Sequence, residues 1–393
     1  MSNPVTCRNQ ILPIAARSIA AAAALCCAGV ASAQSSVTLY GIVDAAVVYT
    51  TNQNAAGNSK TAMDAGQLAT SRWGFKGTED LGGGLKANFA LESTLTNDTG
   101  AGGNSFGNGA STTATFFDRI STVGLSGGFG SVNVGRQNML GVDAVGLADP
   151  IGFAHAANNP NVAWSALNIS SITQSSTGNG FFGTNNGSTE LRQNNSIKYS
   201  TPNFSGFGGA AMYGFGEQAG NNSANTYKGV SGYFTDGQSG AALAYAQLTD
   251  NTNSANLTLF GGGAKYVMNA FTFKATYVQN EVNTTKRKVA VIGLGIDYAL
   301  SAATTLTGAY YNTKVSGLAD ATVPTAVFAA NGKADQFIVL GKYALSKRTV
   351  AYASLTHATA GSTNNADQGL NYNLIGAGQS SANRAAMGVM HSF

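Results

Sequence analysis

The lengths of the connections between strand-like runs constrain this chain more than any motif in it. From Ser36 to Phe393 sixteen segments, each on the order of ten residues, carry an alternation of apolar and polar side chains. One set of connections is very short: GGFG at 127–130, TPNFSG at 201–206, DGQSG at 236–240 and MNA at 268–270. The intervening set is longer, and its longest member runs from 138 to 189. A soluble β-sandwich has no reason to sort its loops in this way. An up-and-down barrel that crosses a membrane does, because one rim meets the periplasm with tight turns and the other faces outward with free loops.

The expected strands cover 36–50, 67–77, 84–95, 115–126, 130–137, 190–200, 207–216, 227–236, 239–249, 257–267, 270–281, 287–299, 303–314, 334–345, 348–358 and 383–393. In the third, Leu85, Ala87, Phe89 and Leu91 share one face, and Lys86, Asn88 and Glu92 the other. In the eleventh, Phe271, Phe273, Ala275 and Tyr277 oppose Thr272, Lys274 and Thr276. A sandwich would turn the apolar row toward a core. A barrel of this size turns it toward lipid and lines a polar lumen with the other. Lipid offers nothing to an edge strand's N–H and C=O groups, so the last strand must pair with the first. The expected fold is all-β, a 16-stranded antiparallel transmembrane β-barrel forming one domain over 34–393. The polar stretches at 97–114, 171–188 and 359–383 read as outer loops.

Residues 1–33 have the pattern of a secretory signal peptide: Arg8 and Arg17, an apolar stretch from Ile19 to Val30, and Ala31-Ser32-Ala33 ahead of Gln34. The apolar stretch is too short for a membrane-spanning helix. All three cysteines, Cys7, Cys26 and Cys27, lie within residues 1–33, and Leu25 is too bulky for a lipoprotein signal at Cys26. Cleavage would take 33 of the 393 residues and leave 360, with 20 basic groups (22 less Arg8 and Arg17) against 18 acidic. A net charge near +2 gives no reason to expect nucleic acid as a partner. Fifty glycines suggest low complexity, but 19 Phe and 15 Tyr are far more than a disordered chain carries. An exported chain without long apolar helices but with alternating strands suits the outer membrane of a Gram-negative cell.

Several stretches then become diagnostic together. SVTLYGIVDAA (36–46), SRWGFKGTEDLGGGLKANFALE (71–92), FDRISTVGLSGGFGSVNVGRQN (117–138), NNSIKYSTPNFSGF (194–207), YALSKRTVAYASL (343–355) and MGVMHSF (387–393) occur in order across the chain. By these the chain resembles the general trimeric porins of Gram-negative bacteria, most closely the β-proteobacterial type of Neisseria, Bordetella, Burkholderia and Comamonas. The resemblance implies a homotrimer with three separate pores, and a third loop (loop 3) folded into each barrel to narrow it. It also implies a water-filled channel for passive diffusion of small hydrophilic solutes and ions, with no cofactor and no enzymatic activity.

Such a channel selects by the field across its constriction. On strand parity Arg72 and Lys76 face the lumen, as do Arg119, Arg192 and Lys198. By resemblance Arg72, Arg119 and Arg192 occupy the basic wall at the constriction. The stretch 135–153 resembles the entry to loop 3, which places Asp149 as the constriction carboxylate and Asp143 as a second acid or a loop-base contact. Between 138 and 189 these two are the only carboxylates, so basic groups outnumber acidic ones and anion preference is expected. Arg136 shares the parity of Val132 and Val134 and is expected to pair with an acid at a rim or subunit contact. Lys286-Arg287-Lys288 reads as a solvated outer turn or a contact for lipopolysaccharide phosphates.

His155, His357 and His391 show no metal spacing and no catalytic arrangement. His391 and Phe393 alternate with Met387 and Val389, the pattern that resembles the terminal signal read by the barrel-assembly machinery. Gly41 and Ala45, among Leu39, Val43 and Val47, offer a small-residue wall for trimer contact through strands 1 to 5. Three other readings are open: a substrate-specific channel of the same fold, an outer-membrane enzyme barrel, and a secreted β-solenoid. The second needs a paired nucleophile and base, and the third a fixed repeat; neither is evident.

Overall fold

The structure, a computed structural model, describes residues 36–102, 116–155, 159–163, 191–250, 253–284, 286, 288–317, 331–361, 374–376 and 378–393. The expected leader at 1–33, the loop at 171–188, Arg287 and most of 97–114 and 359–383 lie outside the described residues.

The strands follow in chain order: β1 Ser36–Thr50, β2 Lys60–Ala65, β3 Arg72–Gly82, β4 Leu85–Thr96, β5 Ala101–Gly102 and β6 Ile120–Gly127. Next come β7 Gly130–Asn138, β8 Arg192–Ser200, β9 Phe207–Gly214, β10 Tyr227–Thr235, β11 Gly240–Thr249 and β12 Asn256–Met268. The last are β13 Phe271–Val282, β14 Lys288–Ala299, β15 Thr304–Ser316, β16 Gly332–Ala344, β17 Thr349–Ala360 and β18 Ser381–Ser392. Among the described residues two short helices, α1 Leu140–Gly146 and α2 Pro160–Ala163, follow β7. Of the 18 strands, β5 pairs only with β4, and β2 and β3 both pair with β1 as two halves of one wall strand. Sixteen antiparallel wall strands result, closed by β1 against β18 from Ile42↔Ser392 to Thr50↔Arg384.

The second wall strand corrects the expected 67–77. It runs as Lys60–Ala65 and Arg72–Gly82, and residues 66–71 leave the ladder. Gly66 at φ 71° starts the detour, which Asp44 holds by accepting from the N–H groups of Leu68 and Ala69 (2.5 and 2.8 Å). A buried carboxylate with two N–H donors outcompetes the strand ladder for those amides. Periodicity cannot register such a tertiary acceptor.

Side chains sort by face as the alternation requires. Phe273, Tyr277, Leu294, Phe337 and Val339 point outward and are exposed, while Thr276, Asn280, Thr307, Thr313 and Gln336 point inward and are buried. Outward apolar side chains match a hydrocarbon solvent, and the closed ladder leaves no backbone group to be desolvated at a cost of several kcal/mol.

The seam ends on the terminal residue. Gly41 N donates to Phe393 O (3.1 Å), and Phe393 N donates to Gly41 O (3.0 Å). A Cβ on Gly41 would collide with the Phe393 ring and lie 2.7 Å from Arg72 O. This corrects the expected role of Gly41: its vacant side is filled by the chain's own terminus, and it is not open floor for a neighbouring barrel.

Candidate functional site

Two groups of inward charges line the wall at different heights. The first gathers where strands meet the long loops. Arg119, placed by the residues before β6, is 5% exposed and donates from Nε to Glu92 Oε1 at 2.6 Å. Tyr40 of β1 donates its hydroxyl to the other oxygen of Glu92 at 3.1 Å. Arg72 lies within the electrostatic reach of Arg119 and Glu92. Asp118, fully buried, accepts from Thr94 N and Thr94 Oγ1, each at 2.8 Å. Arg136 donates from Nε to Asp118 O at 2.6 Å and from Nη1 to Asn194 Oδ1. Arg192 is 4% exposed, stands close to Arg119 and Arg136, and its Nε and Nη1 meet no acceptor among the described residues. Four guanidinium groups thus share two carboxylates.

Arg72, Arg119 and Arg192 come together, then, while Lys76 and Lys198 stand lower on the wall. Lys76 is exposed, with its Nζ 5.3 Å from the Tyr40 ring centre. Arg136 joins the arginines and is buried against Asp118 instead of sitting at an exposed rim. The register shift beside it places the extra residue in β8, between Gln193 and Ser196, where Asn194 meets the guanidinium.

The second group lies near the short turns, where Lys265 sits directly opposite Lys274. Lys274 pairs with Asp297 at 2.7 Å, and Lys342 stands within reach of both. With Lys76 and Lys198, these residues make the turn-side half of the wall a lysine zone, whereas the arginines occupy the loop-side half. The sequence reading put Glu92 and Lys274 on the lumenal face but named neither as a site residue, and it did not single out Lys265 or Lys342. Parity carried the signal, but their height on the wall depends on register.

Residues 139–155 and 159–163 pack on the strand faces that carry this polar row. Leu140, Val142, Ala144 and Val145 of α1 are buried, and Leu140 N donates to Tyr227 Oη of β10 at 3.3 Å. Asp149, 1% exposed, accepts from Ile151 N (3.2 Å), Phe153 N (2.8 Å), Asn159 Nδ2 (3.2 Å), Asn161 Nδ2 (2.8 Å) and Tyr311 Oη (3.1 Å). Asn161 also donates to Thr276 Oγ1 of β13 at 3.0 Å, and Lys274 donates to Pro150 O at 3.3 Å. His155 N donates to Gln67 O (2.6 Å), and its Nε2 meets Ser354 Oγ of β17 at 3.0 Å. Burial, with the Arg384 charge nearby, pushes the imidazole down to about 3.

This geometry corrects the expectation for Asp149. Its carboxylate is consumed by donors and presents no charge to water. Asp143 is the exposed acid, its side chain 50% accessible and 2.9 Å from Lys198 Nζ. Among the described residues, no group of three His, Cys, Asp or Glu could hold a metal ion. Lys286 and Lys288 both pair with Glu281, at 3.8 and 3.0 Å.

Comparison with known proteins gives consistent results. The family model described as Gram-negative porin matches residues 19–378. An outer membrane porin protein 32 of Delftia acidovorans is 37% identical over 243 residues, 59% of each chain. A Bordetella pertussis outer membrane porin is 30% identical over 252 residues, 58% of each. The chain therefore spans under two thirds of the length of these curated relatives. A solved anion-selective porin from Comamonas acidovorans superposes with a TM-score of 0.71 at 26% identity, covering 92% of this chain and 100% of that one.

Proposed function

The chain belongs to the family of Gram-negative porins, multi-pass β-barrels of the outer membrane, and from that premise we propose that it is a water-filled, anion-preferring diffusion channel. The observation that carries the reading is the imbalance of fixed charge on the inward wall: Arg72, Arg119, Arg136 and Arg192 against Glu92 and Asp118. A unit charge about 4 Å from an ion is worth roughly 1 kcal/mol in bulk water and roughly 4 kcal/mol near a protein wall. Even one uncompensated guanidinium therefore biases entry by about fivefold or more at low salt. The bias should fade toward 1 M salt, where the screening length falls to about 3 Å.

We infer that residues 139–155 and 159–163 belong to the loop folded into the lumen. Support comes from their hydrogen bonds to strands around the circumference, β8, β10, β13, β15 and β17, which only an inward path can reach together. Solutes pass beside this segment without reaction, so the chain has no enzymatic role in this reading. A homotrimer and a cleaved leader complete the proposal. So do outer-leaflet lipopolysaccharide and the assembly machinery as partners, the latter through Phe393.

Reversal potential in a salt gradient across a planar bilayer tests the function. A sign indicating anion preference that weakens with salt is expected, and cation selectivity overturns the reading. Solute flux separates the substrate-specific alternative: a general pore shows rates that scale with solute size without saturating.

A further inference from the structure

Three inward positions of the wall are glycine where residues 148–150 lie against it. Gly263 of β12 stands opposite Thr276 of β13, and Thr276 stands opposite Gly293 of β14. One inward position closer to the turn side, Gly295 of β14 stands opposite Lys274. A Cβ on Gly263 would lie 2.9 Å from Ala148 Cβ, and one on Gly293 would lie 3.0 Å from Pro150 Cγ. At Gly295 the three nearest atoms all belong to Pro150: Cα and Cβ at 2.8 Å and O at 3.1 Å. Carbon atoms rest at about 3.5–4.0 Å, so no side chain fits between wall and loop at these points. Gly77 differs, since its vacant side is filled by the ring of Phe89 from the adjoining strand. Glycine weakens a strand interior, and its presence there marks the close approach of a second backbone.

The same stretch of wall supplies the groups that draw the loop in. Thr276 Oγ1 accepts from Asn161, and Tyr311, opposite Gly293, donates to Asp149. Lys274, opposite Gly295, donates to Pro150 O at 3.3 Å. Polar side chains pull, and bare backbone between them lets Ala148 and Pro150 come down to contact. With β2 and β3 counted as one, β13 is the eleventh of the sixteen wall strands and β4 the third. They lie half the circumference apart and face each other across the lumen. Glu92 of β4, with Arg72 and Arg119 beside it, is therefore on the side toward which a lifted loop would move.

We propose that Gly263, Gly293 and Gly295 form the seat of the inward loop and set the bore of the channel. They are positioning residues, acting through Ala148 and Pro150 on the gap that faces the arginine wall. The proposal rests on the reading of this segment as the inward loop, and adds the wall residues that fix its stand-off. A methyl at Gly295 has to lift Pro150 from 2.8 Å to ordinary contact, a shift of roughly 0.7 Å or more. The hydrogen bonds to Asp149 hold the loop against release, so the lift narrows the pore.

Single-channel conductance, together with the exclusion limit for neutral poly(ethylene glycol) of graded size, reads the bore without reference to charge. Gly295→Ala should lower both, and Gly295→Val should lower them further. Gly263→Ala should act likewise, and adding Ala148→Gly, which removes the carbon it meets, should restore the parental values. Ala148→Val pushes from the loop side and should narrow the pore with every wall strand unaltered, which keeps the test intact if a wall variant fails to assemble. Gly308→Ala, on the lipid face of β15, adds the same methyl where only Ile296 Cγ2 is near, at 3.6 Å, and should leave the parental conductance. Unchanged or increased conductance in Gly295→Ala overturns the seat, as does a Gly263→Ala, Ala148→Gly chain no wider than Gly263→Ala alone. Silence of Tyr311→Phe as well would strike the loop reading itself, whereas silence of the glycine variants alone strikes only the seat.

Discussion

Replacing Tyr311 by Phe removes one hydroxyl and probes whether residues 139–163 are held by the wall. Tyr311 is fully buried, and its hydroxyl donates to both oxygens of Asp149, at 3.1 and 3.2 Å. A hydrogen bond to a charged group contributes roughly 1.5–3 kcal/mol. Phe keeps the ring and its packing, so the loss falls on the latch alone. At about 2 kcal/mol, the population with the segment released should rise about thirtyfold, since about 1.4 kcal/mol is a factor of ten. Asp149→Ala should be worse, because the N–H groups of Ile151 and Phe153 would lose their side-chain acceptor and Asn159 and Asn161 one bond each. Single-channel recording should show added open-channel noise and brief high-conductance events, and proteolysis should cut near 150 sooner. A Phe variant with parental noise, conductance and protease resistance would refute the latch.

Three further outcomes are expected. Glu92→Gln removes the carboxylate that holds Arg119 and should strengthen anion preference in reversal-potential measurements, whereas Arg119→Ala should weaken it. His155 is held neutral by burial, about 3 in the folded chain against about 6.5 when free, so the unfolded form binds the extra proton between those values. Docking of its segment should therefore be full above pH 6.5 and weaken as pH falls, by about 2 kcal/mol at pH 5. His155→Gln should remove that dependence of channel noise. Lys265→Gln with Lys342→Gln should make the current–voltage curve at low salt more symmetric, because the lysines bias one half of the wall and the arginines the other. An unchanged asymmetry would assign it elsewhere.

The barrel was readable in the chain because membrane solvent imposes a period of two and closure, and both are local or global regularities of sequence. Phe271, Phe273 and Tyr277 announced an outward row, and their positions in β13 follow it. What resisted reading depends on tertiary partners. The Asp44 carboxylate pulls residues 66–71 out of the second wall strand, an event that no window of residues 60–82 contains. Asp149 shows the same limit for the site. An acid at the right place in a loop says nothing of whether Asn159, Asn161 and Tyr311 converge on it. Arg136 finds its partners for a third reason, a register shift in β8 that brings Asn194 to it.

The join between Gly41 and Phe393 unites the first wall strand with the last, two segments far apart in the chain. A cylinder of this kind is consequently unable to shut hairpin by hairpin, because the opening strand has to wait for its distant neighbour. Until that ring seats on Gly41, both margins of the sheet carry open N–H and C=O groups, so zipping this one seam is the step that makes the wall fit for hydrocarbon.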